Sequence, residues 1–167
     1  NVLNHRPVQD RDFQTIATFP KSDEELYFFA PKLTFPAQPK QLADIATQRK
    51  ACTVVEVDSH LAGYGNIYKW DDGICAIGNV IVAPQYRGQG VARYLIGILT
   101  ETAQREFSAQ QVQISCFNSN AAGLLLYPKL GFSPFDIEQR TGPTGDPVAL
   151  IHMRLELAEA AKSEAIR

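Results

Sequence analysis

The pattern of apolar and polar positions changes character twice along this chain. Val2 to Val8 alternates like a first strand, ended by Gln9-Asp10, and Asp10 is placed to cap a short helix through Phe13, Ile16 and Ala17 that Pro20 stops. Ser22-Asp23-Glu24-Glu25 matches a capping box, with acidic residues in the first turn of the helix it opens. The segment Leu26 to Pro39, holding Tyr27, Phe28, Phe29 and Phe35 among Pro31, Pro36 and Pro39, predicts short helical pieces joined by stiff turns. A further helix through Leu42, Ile45 and Ala46 closes near Arg49.

The middle is strand-like. Cys52–Val57, Leu61–Trp70 and Ile74–Val82 predict an antiparallel meander, turning at Asp58-Ser59-His60 and Asp71-Asp72-Gly73. The third strand is apolar on both faces and so belongs at the centre of a sheet. Beyond Pro84, the run from Gly88 to Phe107 turns helical, with Ala92, Leu95, Ile96, Leu99 and Ala103 at the spacing of one buried stripe. A strand (Gln111–Phe117), a helix (Asn120–Leu130, stopped by Gly131) and two strands (Phe132–Gln139 and Val148–Leu157) follow. The tail from Glu156 to Arg167 is charged and alanine-rich, like a frayed helix. This order makes one α+β domain around a central mixed, mostly antiparallel sheet of about six or seven strands flanked by about four helices.

Composition narrows the function. At 167 residues the chain suits one well-packed domain, and 45% hydrophobic with 20% charged content is that of a soluble globular protein. A net charge of -2 provides no basic field for nucleic acid, and no lysine cluster suggests a membrane surface. Small molecules or single protein sites are the expected partners. Cys52, Cys75 and Cys116 lie in apolar stretches and read as reduced core thiols of a cytoplasmic protein. The N-terminal residues lack the apolar run of a signal peptide, and no stretch is long enough for a membrane-spanning helix.

The chemistry concentrates at Val82 to Ala92. A central strand runs through Pro84 into a glycine-bearing loop and then a helix. Gly88 and Gly90 clear side chains from the backbone, and a helix start leaves amides unpaired, which favours phosphate oxygens; Arg87 adds charge at the rim. A P-loop would need Gly-Lys-Ser/Thr, which is absent. The dinucleotide fingerprint would need a third small residue where Arg93 stands, and a parallel strand–helix–strand frame that the hairpin-rich middle does not offer.

Gln85-x-x-Gly88-x-Gly90 resembles the pyrophosphate loop of the GNAT superfamily of N-acetyltransferases, and Asn120 through Leu126-Tyr127 to Gly131-Phe132 resembles its second signature. The resemblance covers roughly Cys52 to Leu157. It implies one domain over residues 1–157, in which 1–50 supply acceptor-side helices and 51–157 the cofactor core, with 158–167 a charged tail. It implies acetyl-CoA as co-substrate, no metal, and transfer of acetyl directly to a primary amine of a small molecule or peptide. The amides of Arg87, Gly88, Gln89, Gly90, Val91 and Ala92 would hold the pyrophosphate. Val80, Ile81 and Val82 would pair with the pantetheine arm like an added strand. Asn120 would contact that arm, or cap its helix, or both.

Tyr127 matches the family's tyrosine that protonates the departing thiolate; Pro128, next to it, predicts that the helix bends or ends there. Where many members carry a strand glutamate as base, this chain has Ala76. Glu56, Asp136, Glu138 and His152 remain as candidates, beside a water relay. Cys116 fits a buried thiol better than an acyl carrier. Tyr27, Phe28, Phe29 and Phe35 would line the acceptor side or simply cover the sheet. A free amino acid, a polyamine and a protein N-terminus all fit as acceptors, and a homodimer stays open. A non-catalytic acetyl-CoA-binding sensor or scaffold, or a nucleotide-binding module using the same loop, is the alternative.

Overall fold

The computed structural model describes residues 1–157; the expected tail helix lies outside them. Among the described residues, β1 (Leu3–Pro7), β2 (Lys50–Val57), β3 (His60–Asp71), β4 (Ile74–Val82), β5 (Gln111–Phe117), β6 (Ser133–Thr141) and β7 (Pro147–Glu156) form one sheet in the order β1-β2-β3-β4-β5-β7-β6. Five α-helices of the described residues flank it, in keeping with the four or so expected: α1 (Asp12–Ile16), α2 (Asp23–Phe29), α3 (Pro39–Ala46), α4 (Val91–Phe107) and α5 (Ala121–Lys129).

Neighbouring strands are antiparallel except β4 and β5, which run parallel. So β4–α4–β5 is one crossover unit, which makes the sheet mixed and mostly antiparallel as expected, and it adds beyond the hairpins the parallel strand–helix–strand frame that the middle alone was not expected to offer. Periodicity reveals a strand but not its neighbour. Both early hairpins turn on two residues of positive φ, Asp58 (48°) with Ser59 (69°) and Asp72 (55°) with Gly73 (73°). That pair of angles matches the twist of the flanking strands.

Two details at the N-terminal helices differ from expectation. Asp10 does not cap α1. The Asp12 carboxylate accepts instead from the Gln9 amide at 2.7 Å and from the Arg6 guanidinium at 2.8 and 3.0 Å. At α2, Ser22 Oγ accepts from the Glu25 amide as predicted, but the Glu25 carboxylate reaches the Lys21 amide, one residue before the cap.

The sheet has an apolar layer on each face. On one, Val91, Leu95, Ile96, Leu99 and Ala103 of α4, with Tyr127 and Phe132, bury Ile67, Cys75, Ile77, Val112, Ile114 and Cys116. On the other, α1 to α3 pack Phe13, Ile16, Leu26, Phe29 and Leu42 on Val54, Tyr64 and Ile81. β4 serves both through a bulge. Its register steps from Gly78↔Asn66 to Ile81↔Tyr64, three residues against two, and Asn79 sits at φ 50°. One extra residue inverts the strand's facing. Ile77 therefore faces α4, and beyond the bulge Val80 and Val82 do so while Ile81 joins the opposite layer. The Asn79 amide fastens the bulge, donating to Phe29 O at 2.8 Å and accepting from Asn66 Nδ2 at 3.0 Å.

Candidate active site

A fork in the sheet creates the site. β4 and β5 are paired only from Ile74↔Gln111 to Ile77↔Ile114; the second half of each strand has no partner on that side. The bulge at Asn79 begins one residue past Gly78, where the divergence starts, and it bends β4 away. A cavity of about 760 Å³ fills the fork, walled by α2, the end of β4, the loop into α4, and α5.

The loop runs from a 3-10 turn, Pro84–Tyr86, through Gly88 (φ 75°) to Gly90 (φ 84°), which caps α4 in the left-handed region. A residue with a Cβ is disfavoured there by about 1–2 kcal/mol, so the glycines meet a backbone demand. No main-chain carbonyl of the described residues accepts from the amides of Gly88 to Arg93. Six amides without a main-chain partner thus lie at the positive end of a 17-residue helix, an arrangement whose electrostatics suit an anion.

Val80, Ile81, Val82, Arg87, Gly88, Gly90, Val91, Ala92, Asn120 and Tyr127 all lie on the cavity wall. Gln89 does not; its side chain folds back to donate to Gln85 O at 3.0 Å, leaving only its main chain at the loop. Arg87 does more than add charge at the rim. Its Nη2 donates to Glu25 at 2.8 Å and its Nε to Val82 O at 3.2 Å, so it ties α2 to the end of β4. The Arg87 guanidinium holds the Glu25 carboxyl below its ordinary value, against the opposing effect of burial.

Asn120 caps α5 by accepting from the Gly123 amide at 3.2 Å, and the side chain still borders the cavity. α5 does not stop before Pro128. It continues to Lys129, because the proline falls in the last turn, where only one backbone bond is forgone; Gly131 at φ 100° then ends it. Tyr127 thus keeps its helical aim. Its side chain is 7% exposed, and burial followed by the nearby Cys116 pushes the phenol well above its ordinary value. The ring fits because residue 123 is glycine: a Cβ there would stand 2.7 Å from Cys116 Sγ and 3.1 Å from Tyr127 Cε2. The Cys116 thiol is buried, pushed up to about 11, and donates to the carbonyls of Phe117 and Asn120. That is an inert thiol.

Sequence reasoning missed Glu24, Tyr86, Arg93, Leu125 and Lys129, which also line the cavity. It missed the part Gly123 plays as well, although a glycine inside an apolar helix signals a close approach. Of the four aromatics expected on the acceptor side, Phe28 and Phe29 border the cavity. Tyr27 instead packs its ring 4.4 Å from that of Phe117 and donates to Thr141 O at 2.7 Å, and Phe35 is an exposed surface residue.

The four candidate bases are dispersed. Glu56 lies on β2 and is held by Arg6 Nε at 3.3 Å and Asn4 Nδ2 at 3.0 Å. Asp136 accepts from the Ile137 amide on the far edge strand. His152 and Glu138, on β7 and β6, bond each other at 2.9 Å. Ala76 is buried in the paired half of β4.

Residues 14–132 match the family described as the acetyltransferase (GNAT) family. Two Bacillus subtilis proteins are similar in sequence. One, an uncharacterized N-acetyltransferase named YobR, is 36% identical over 38% of this chain and 25% of its own length. The other carries the name of a ribosomal protein bS18-alanine N-acetyltransferase, and is 34% identical over 52% of this chain and 56% of its own length. The alignments thus span between a quarter and a little over half of these relatives. Among solved structures, yncA of Salmonella typhimurium, determined with acetyl-CoA, superposes with a TM-score of 0.73 at 20% identity over 94% of this chain and 95% of that one.

Proposed function

Since the chain belongs to the GNAT acetyltransferase family, we propose that it moves an acetyl group from acetyl-CoA directly to a primary amine of a small molecule or peptide. One observation carries this reading: the fork between β4 and β5 brings the six unpartnered amides, the unpaired edge of β4 and Tyr127 onto the wall of one cavity. Bound acetyl-CoA would supply the activated acyl group as a thioester. The relative that carries acetyl-CoA shares this fold.

In this reading the amides of Gly88 to Ala92 take the pyrophosphate, the Arg87 amide expected to join them already donating to Pro84 O at 3.4 Å, and Val80 to Val82 pair with the pantetheine amides, setting the thioester at the divergence of the strands. Arg87 gives up Val82 O when the arm enters. Asn120, its Oδ1 engaged in the helix cap, offers its amide N–H to the arm. Tyr127 donates a hydrogen bond to the sulfur as it takes up charge. Its raised pKa keeps the phenol protonated, and makes this donation, rather than early proton release, the useful step.

The acceptor enters beside α2. The name of one Bacillus subtilis relative favours a protein N-terminal alanine as a first substrate to try. The test is acetyl-CoA consumption with a peptide bearing a free N-terminal alanine, spermidine and free amino acids. Turnover with one of them is expected. Tight acetyl-CoA binding without turnover on any amine would favour a sensor instead; stabilisation by ATP or NAD but not by CoA would mark a nucleotide-binding module.

A further inference from the structure

Three polar side chains on the sheet face opposite α5 form a continuous hydrogen-bonded chain. Ser115 Oγ lies 2.6 Å from His152 Nδ1, and His152 Nε2 lies 2.9 Å from Glu138 Oε1. They come from three adjacent strands, β5, β7 and β6, with Ser115 directly across from His152. Burial alone does not demand such a chain, since the Glu138 side chain is 43% exposed. Its direction is dictated by chemistry. Glu138 also accepts from Arg140 Nε at 2.7 Å, and the Arg140 and His152 bonds bring its carboxyl down to about 2. A carboxylate only accepts, so a neutral imidazole here carries its proton on Nε2, presents the Nδ1 lone pair, and accepts from the Ser115 hydroxyl.

The position of Ser115 gives this order a purpose. The last paired residue of β5 is Ile114, so Ser115 is the first residue inside the fork. Cys116, beside it, faces α5 and Tyr127, so Ser115 faces the other way. Phe117 shares the Ser115 face, and its ring lies 6.4 Å from that of Phe28, a residue of the cavity wall. A thioester at the fork would therefore have its leaving sulfur on the Tyr127 side and its open carbonyl face toward Ser115.

We propose that Ser115, His152 and Glu138 are the proton-accepting relay for the acceptor amine, filling the role that Ala76 cannot. The inference rests on the acetyl-transfer reading. The incoming ammonium donates to Ser115 Oγ as the Ser115 hydroxyl proton passes to Nδ1, leaving a neutral amine and an imidazolium held by Glu138. The amine lone pair attacks the carbonyl carbon, and the C–S bond breaks. The surplus proton of the new amide nitrogen ends on the thiolate, and the imidazolium returns its proton to water. The other groups around His152 are Asp136, its cross-strand neighbour on β6, the Phe135 ring at 6.1 Å, and Arg154, which lies over that ring.

The test uses the full chain, acetyl-CoA and the fastest amine of the panel above, with kcat and KM measured from pH 5.5 to 9.5. A relay that takes the ammonium proton matters most where the amine is charged, so His152→Gln should lower kcat at neutral pH by tenfold or more and steepen the rise of kcat/KM with pH, with acetyl-CoA affinity by calorimetry unchanged. The deficit should shrink at pH 9.5, where more of the amine is already neutral. Ser115→Ala, which removes one hydroxyl, should reproduce the loss if His152→Gln folds poorly, and Glu138→Gln should give a smaller one. Turnover within twofold of wild type and an unaltered pH profile in His152→Gln or Ser115→Ala overturns the relay. A wild-type protein that binds acetyl-CoA but acetylates no amine overturns the transfer reading itself, and that result is visible before any variant is made.

Discussion

The two walls of the fork are built from different materials. The wall formed by the loop and α4 is mostly main chain: amides at a helix start, two glycines of positive φ, and a strand edge. The wall formed by α2 is side chain, Glu25, Phe28 and Phe29, and the relay proposed above, Ser115–His152–Glu138, would extend it on the β5 side. Main-chain recognition restricts the residue only where the backbone needs positive φ, at Gly88 and Gly90; the helix start and the strand edge supply it with varied side chains. Side-chain recognition can be assembled from any strands that meet, so it varies freely and is where the acceptor would be selected.

This contrast can be broken at its tightest point first. Gly123→Val puts a branched side chain where a Cβ alone would stand 2.7 Å from Cys116 Sγ. It should destabilise by about 3 kcal/mol, the upper range for overpacking. Scanning calorimetry should show a Tm fall of about 6–12 °C for a chain of this size; an unchanged Tm would mean that α5 is not seated as described. Next, Tyr127→Phe should reduce turnover tenfold or more, with acetyl-CoA affinity unchanged. Near-wild-type turnover would remove the tyrosine from the chemistry and leave it a packing residue.

The layer built by α1 to α3 offers a smaller effect that depends on pH. Burial raises the Asp12 carboxyl, but the Arg6 guanidinium and the Gln9 amide outweigh it and hold it below its ordinary value. A lowered carboxyl stabilises the fold above its unfolded value of about 4, and that contribution disappears as pH falls through the folded value. Urea titrations of wild type and Asp12→Asn should therefore differ by about 1 kcal/mol at pH 7 and converge below pH ~4. A constant gap across the range would assign the difference to packing. The smallest effect is expected where the walls touch. The Arg87 and Glu25 side chains are 43% and 31% exposed, so Arg87→Ala should cost less than about 1 kcal/mol in Tm-derived stability and move CoA affinity by under threefold. A much larger loss would show that the guanidinium, not the amides, holds the pyrophosphate.

The same contrast explains what could be read from the residues alone. The strands were legible from alternation, α4 from its stripe, and the loop from glycines whose spacing the main chain dictates. The bulge at Asn79 was not, because one inserted residue leaves Val80-Ile81-Val82 just as apolar while inverting which faces which layer. The parallel β4–β5 pair was hidden for a similar reason: alternation carries no information about the neighbour. Pro128 predicts a bend or an end, and the helix does end one residue later, at Lys129; what the residues alone leave open is that Tyr127 still lies within the last helical turn. Ser115 and His152 are 37 residues apart, and only the register of β5 on β7 joins them. His152 and Glu138 could be named as candidates, but not as a pair with a third member.

An unpaired strand edge ordinarily sits at the rim of a sheet, where charge or brevity must discourage other chains from adding to it. The edge from Gly78 to Val82 lies instead at position four of a seven-stranded sheet, recessed between α2 and α5. Its defence against aggregation is location, which frees Val80, Ile81 and Val82 from carrying charge. A flexible amide-bearing arm can reach what another protein's strand cannot, so the geometry that admits a ligand also polices self-association.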